Sequence, residues 1–129
     1  MDMNSLEDEL NHCLLSAQAA GSNEATLAFC YPETFNGFRG HFPGDPILPG
    51  VCILQSVRIG LERLWNHSLR LVGIVDAKFI SRVKPDDVLD FTVRETAREA
   101  GVVTVKSRVT RKGERVAELT LKLERIPES

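Results

Sequence analysis

Apolar and polar residues change their spacing several times along the chain, and each change marks a different element. Residues 11–19 (NHCLLSAQA) and 24–31 (EATLAFCY) are strand-length segments around a Gly-Ser-Asn turn, the pattern of a β-hairpin. The Ala and Leu of the first segment are also compatible with helix. Prolines and glycines then crowd residues 32–50: Pro32, Gly37 and the stretch GHFPGDPILPG from Gly40 to Gly50. Helix cannot persist there, so the spacing predicts a long loop, and a long loop inside a small domain points to function.

From Val51 to Trp65 the period becomes helical, with Pro49 at or just before the first turn. At ~100° per residue, Ile53, Leu54, Val57, Leu61, Leu64 and Trp65 share one broad apolar face. Val51, Gln55, Arg58 and Glu62 form a narrow stripe, and Ser56, Gly60 and Arg63 a third. So much of the circumference is apolar that the helix is expected to be largely enclosed. Residues 70–83, rich in β-branched side chains, read as a long strand and are punctuated by Lys84-Pro85-Asp86-Asp87. Residues 88–97, 102–110 and 115–125 alternate apolar with polar and are separated by the tight turns Glu99-Ala100-Gly101 and Lys112-Gly113, an antiparallel meander. The simplest packing is an α+β arrangement, one antiparallel sheet curled around a single helix. A sheet of this kind leaves an edge, which favours dimerisation by edge pairing.

Composition narrows the function classes. With 129 residues the expectation is one domain spanning 1–129. A net charge of -2, one Trp and one Tyr give no platform for nucleic acid. Three widely spaced cysteines suggest neither a disulfide framework nor a zinc site. The acidic start MDMNSLEDEL is the reverse of a signal peptide, and no run approaches the ~18 apolar residues of a membrane span. A cytoplasmic, reduced, soluble protein is expected.

The pattern Phe38-x-Gly40-His41-Phe42-Pro43-Gly44-x-Pro46-x-x-Pro49-Gly50-Val51 before an apolar helix resembles the 3-hydroxyacyl-(acyl-carrier-protein) dehydratases of fatty-acid synthesis. Ala77-Lys78-Phe79 and Val83-Lys84-Pro85-Asp86-Asp87 extend the likeness, which covers roughly residues 10–125. The family implies the hot-dog fold, a curled antiparallel sheet around a central helix. It implies His41 as catalytic base and a Gly50 N–H on the thioester carbonyl. Phe42, Pro49, Val51 and Arg58 are then candidates for lining the substrate site. It also implies an acidic residue fourteen positions after the histidine, completing the site across a dimer interface; here that residue is Gln55. No cofactor and no metal is implied. The substrate is expected to arrive on acyl carrier protein or coenzyme A, with Arg39, Lys78, Arg82 and Lys84 as candidate cations for this acidic partner. The alternative is that these are scattered solvated charges.

The chemistry fits the residue types. A neutral imidazole, with an ordinary pKa of ~6.5, can remove the C2 proton of a 3-hydroxyacyl thioester. Free N–H groups at a helix start stabilise the developing enolate oxygen, and Gly50 lets a ligand approach the backbone. A carboxyl at position 55 could protonate the leaving hydroxyl, whereas the Gln55 amide can only hydrogen-bond and orient it. His41 then both removes and returns the proton. General acid catalysis typically contributes ~10²–10⁴-fold, so its loss leaves room for residual activity. Glu62 lies ~10 Å further along the helix axis, too far to substitute. Arg58 either joins the site or pairs with Glu62 at the helix surface. Asp45 reads as a turn former, and His12 and His67 as peripheral. Cys52 is either a thiol acidified by the helix dipole or a small core residue between Val51 and Ile53. A dehydratase-like lyase is the leading expectation. The alternatives are a thioester-binding protein of the same fold with lost or weak activity, a hot-dog thioesterase, and a motif that is simply a rigid loop.

Overall fold

A computed structural model describes residues 3–38 and 46–127. In chain order these form helix α1 (Met3–Cys13), strands β1 (Leu14–Ala19) and β2 (Glu24–Cys30), a 3₁₀ turn (Asn36–Phe38), helix α2 (Gly50–Trp65), and strands β3 (Leu69–Phe79), β4 (Val88–Glu99), β5 (Val102–Arg111) and β6 (Glu114–Arg125). The strands make one six-stranded antiparallel sheet in the order β1-β2-β4-β5-β6-β3. Helix α2 touches both β1 and β3, the two opposite edges, so the sheet must curl around it. The α+β expectation holds.

Local chemistry explains each part. The hairpin forms, but residues 11–13 of the segment expected as strand over 11–19 belong to the preceding helix, so only Leu14–Ala19 pairs with β2. The turns of the meander place Ala100-Gly101 and Lys112-Gly113 at positive φ, the geometry that matches the right-handed twist of the flanking strands. Alternation then sends Leu89, Phe91, Val93, Val103, Val105, Val109, Leu119, Leu121 and Leu123 inward, all buried. Helix α2 is enclosed from Cys52 to Leu54 and from Ser56 to Leu61. Gly60 allows the helix backbone to lie on β2, because a Cβ there would stand 2.5 Å from Leu27 Cδ1. The helix ends at Asn66, whose left-handed conformation returns its N–H to the Glu62 carbonyl.

Three features differ from the sequence reading. The helix is not single: α1 precedes the sheet and packs against α2. Its acidic composition hides an apolar stripe at Leu6, Leu10 and Cys13, spaced i, i+4, i+7 and buried. The strand expected over 70–83 stops at Phe79, where the N–H groups of Ile80 and Ser81 both turn to the Val116 carbonyl (2.8 and 3.2 Å). The region 32–50 is not wholly irregular, since it carries the 3₁₀ turn and the first residue of α2. Residues 39–45, with Arg39, His41, Phe42 and Asp45, lie outside the described residues. Among those described, no helix is long and apolar enough to cross a membrane.

Candidate active site at the start of the central helix

Pro49, extended at φ -64 and ψ 144, delivers the chain into α2 at Gly50. The first N–H groups of a helix have no partner inside it. The Cys52 N–H turns back to the Pro49 carbonyl at 3.0 Å, and among the described residues nothing accepts from the Gly50 and Val51 N–H groups at the helix tip. The approach is held in place by Leu48, buried, whose N–H meets the Val83 carbonyl at 2.9 Å. Gly50 lies under the tip of the Phe79 ring, which is itself 47% exposed. The Phe79 ring lies so close that a Cβ at 50 would stand 2.7 Å from its Cζ.

Gln55 sits half-buried one turn further along. Its Oε1 accepts from Arg58 Nε at 2.5 Å. Arg58 is only 6% exposed, which corrects the expectation of a pair at the helix surface. It does pair with Glu62 (Nη1 to Oε2, 3.1 Å), and its Nη2 reaches Glu7 of α1 at 2.7 Å. Glu62 Oε2 also accepts the Leu69 N–H at 2.7 Å and so ties the start of β3 to the same cluster. Removing one member of a buried ion pair typically costs ~3–5 kcal/mol, because the survivor is left uncompensated. The Glu7 arm counts for less, its side chain being 36% exposed.

On the opposite flank, Tyr31 is fully buried and stacks on Phe29. Ser56 donates its only hydroxyl hydrogen to the Cys52 carbonyl (2.7 Å), so the Tyr31 hydroxyl donates to Ser56 Oγ (2.7 Å). This chain of hydrogen bonds fastens the first turns of α2 to the end of β2. Burial pushes the Tyr31 phenol up, so it serves as a neutral donor.

Of the sequence-predicted residues, Pro49, Gly50, Val51, Gln55 and Arg58 share the first three turns of α2 and its entry. Lys78, Arg82 and Lys84 lie on the segment that borders them through the Phe79–Gly50 contact and the Leu48–Val83 hydrogen bond. This border is not uniformly basic. Lys78 faces Glu118 in the β3–β6 register, the Arg82 carbonyl accepts from Arg111, and Asp87 accepts from the Lys84 N–H. Sequence reasoning missed Glu7, Phe79 and Tyr31. The i, i+4, i+7 stripe of α1 could have signalled the first, but nothing local points to the others. Two concavities lie away from the helix start: a shallow hollow of about 560 Å³ on the sheet around Arg94, Lys106 and Arg108, and a cleft of about 190 Å³ between Leu61, Leu64, Trp65 and the β1–β2 turn.

Cys52 proves to be a core residue, 2% exposed. Burial, then Glu9, pushes its thiol up to about 11. Cys13 is pushed up to about 12, by burial first and then by Cys30, Glu9 and Cys52. Cys30, less enclosed, is raised by burial and by Asp86 and Asp87.

The architecture, with the motif leading into its helix, defines a hot-dog protein. It superposes on the ApeI:P dehydratase heterocomplex from Xenorhabdus doucetiae with a TM-score of 0.69 at 22% identity, covering 87% of this chain and 96% of that one. PH1136 from Pyrococcus horikoshii gives 0.67 at 14% identity, covering 88% and 83%. Likeness at these identities shows the fold. The family follows from sequence: residues 17–120 match the profile of the ApeI-like dehydratases, and the chain belongs to that family. The 3-hydroxyacyl-(acyl-carrier-protein) dehydratase FabZ of Haemophilus influenzae is 34% identical over 92 residues, 65% of this chain and 62% of that one. The Wolbachia pipientis FabZ is 36% identical over 97 residues, 68% of each. The chain spans about six-tenths of the length of the first curated relatives it matches.

The thiols supply a test of this packing. Thiolate is the reactive form, so alkylation of the native protein at pH 8 should label Cys30 first and leave Cys13 and Cys52 protected until unfolding. Equal labelling of all three, followed by peptide mass spectrometry, would contradict the enclosure of the helix start.

Proposed function

We propose that the chain is a dehydratase-type lyase acting on 3-hydroxyacyl thioesters carried by acyl carrier protein or coenzyme A, in fatty-acid or related lipid synthesis. The observation that carries this reading is the glycine-started α2: the Gly50 and Val51 N–H groups at its tip, which have no hydrogen-bond partner among the described residues, and Gln55 one turn inside, after the His41 motif in the sequence. The reading places the protein in the cytoplasm, in keeping with three unpaired cysteines.

In this mechanism the His41 imidazole takes the C2 proton. The C2–H electrons form the C2–C3 double bond, the C3–O bond breaks, and the imidazolium returns its proton to the departing hydroxyl as water. The thioester oxygen gains negative charge on the way and is met by the N–H groups of Gly50 and Val51, with the positive end of the α2 dipole behind them. Phe42 and Pro49 flank the acyl thioester, and Gln55 hydrogen-bonds the 3-hydroxyl. Arg39, Lys78, Arg82 and Lys84 would meet the phosphates or the acidic carrier, moderated by Asp86 and Asp87 nearby.

The site is read as closing in a homodimer. Edge strand β3 exposes Val72, Ile74 and Val75, and the apolar surface continues through Phe79 and Ile80; Val51, 49% exposed, stands beside the Gly50 that Phe79 covers. Pairing two β3 edges would satisfy their free backbone groups and cover the helix tip at once. Light scattering should then give twice 14.4 kDa for the parent chain, and Val75→Lys should move it toward 14.4 kDa. A parent chain that is monomeric at micromolar concentration would contradict this assembly.

Activity is tested by adding 2-enoyl thioester and following the loss of its conjugated absorbance. Turnover is expected, and His41→Ala should lower it by at least about a hundredfold. Equal rates in the two proteins would remove His41 as base. Saturable binding without turnover would favour a thioester-binding role, and release of free thiol a thioesterase.

A further inference from the structure

An amide has two chemically different ends: its oxygen accepts and its nitrogen donates. Which end Gln55 offers outward is fixed by its neighbour. Arg58 Nε–H can only donate, and it lies 2.5 Å from Gln55 Oε1, so the carbonyl is turned along the helix and the NH₂ group is left for other partners. The guanidinium is not free to swing away. Its Nη1 is held by Glu62 of the same helix and its Nη2 by Glu7 of α1, at 3.1 and 2.7 Å, and the side chain is almost wholly enclosed. Planarity makes these three contacts one constraint: fixing the two Nη atoms aims the Nε–H at Gln55.

We propose that Arg58 is a positioning residue that presents Gln55 to the substrate as a hydrogen-bond donor, and that it makes position 55 unfit for a general acid. The proposal rests on the reading above, in which Gln55 faces the 3-hydroxyl. A carboxyl placed at 55 would meet the same Nε–H, which favours the ionised form, and an ionised carboxylate has no proton to give. The departing oxygen therefore receives a hydrogen bond from position 55. Its proton comes from the group that took it from C2, so one proton leaves C2 and the same count leaves as water.

Arg58→Lys separates this role from its rivals. It keeps a cation between Glu7 and Glu62 but removes the planar Nε–H. We expect kcat for hydration of a 2-enoyl thioester to fall about tenfold while KM changes less than about twofold. A raised KM with kcat retained would make Arg58 a substrate-binding residue and overturn the proposal. Gln55→Glu should bring no gain, and a gain of about tenfold or more, the scale of a working general acid, would overturn it as well.

A second measurement does not depend on turnover. In ¹⁵N-labelled protein the Arg58 Nε–H resonance, identified by its loss in Arg58→Lys, should exchange slowly with solvent, and Gln55→Ala should speed that exchange at least about tenfold. Exchange indifferent to Gln55→Ala would overturn the pairing. A protected resonance in a protein that turns over no 3-hydroxyacyl or 2-enoyl thioester would support the pairing and refute the dehydratase reading instead.

Discussion

A guanidinium removed from water must find acceptors wherever its N–H groups point into protein, and at Arg58 those acceptors come from three directions. Glu7 brings α1 onto the side of α2, Glu62 holds the end of the same helix turn and the first N–H of β3, and Gln55 takes the remaining edge. The consequence is mechanical. The helix cannot rotate about its axis without breaking contacts to α1 and β3, and so the tip at Gly50 keeps one orientation against Phe79. A residue resembling a surface charge in the sequence is the point on which the geometry of the candidate site turns.

The other flank of α2 is fixed by different chemistry. Gly60 brings the backbone down on Leu27, and Ser56 receives the Tyr31 hydroxyl, so small and polar residues face the sheet where large apolar ones would hold the helix away. The tip is thereby placed between a packed flank and an ionic one. Preorganised donors of this kind need not rearrange as negative charge develops on a bound oxygen, which is the condition for electrostatic stabilisation to be effective.

Much of the fold was legible because its signals are local. Alternation from Leu89 to Leu123 and the glycine turns at 101 and 113 define the meander without reference to the rest of the chain. The proline and glycine cluster likewise announces a loop that ends in a helix. What sequence spacing could not show depends on contacts far apart in the chain. Helix α1 has a mostly polar composition and is stabilised by burial of Leu6 and Leu10 against elements that follow it. The Glu7–Arg58 bridge joins residues 51 positions apart, and the stripe of Val51, Gln55, Arg58 and Glu62, though correctly placed on one face, gives no sign that a second helix covers part of it. The motif places Gly50 and Gln55 on the first turns of the helix, where the structure has them. The Phe79 ring against Gly50 was not legible, because it comes from another strand.

The proposed dehydratase must hold an acyl thioester with its carbonyl at the tip of α2 and its C3 oxygen at Gln55. A crystal structure with a non-reacting 3-hydroxyacyl-pantetheine amide tests this arrangement most directly. The carbonyl oxygen should lie about 3 Å from the Gly50 or Val51 nitrogen, with the 3-hydroxyl facing Gln55 Nε2 and Gln55 Oε1 still on Arg58. The amide seated instead in the cleft beside Trp65, or Gln55 turned with its oxygen toward the ligand, would contradict it.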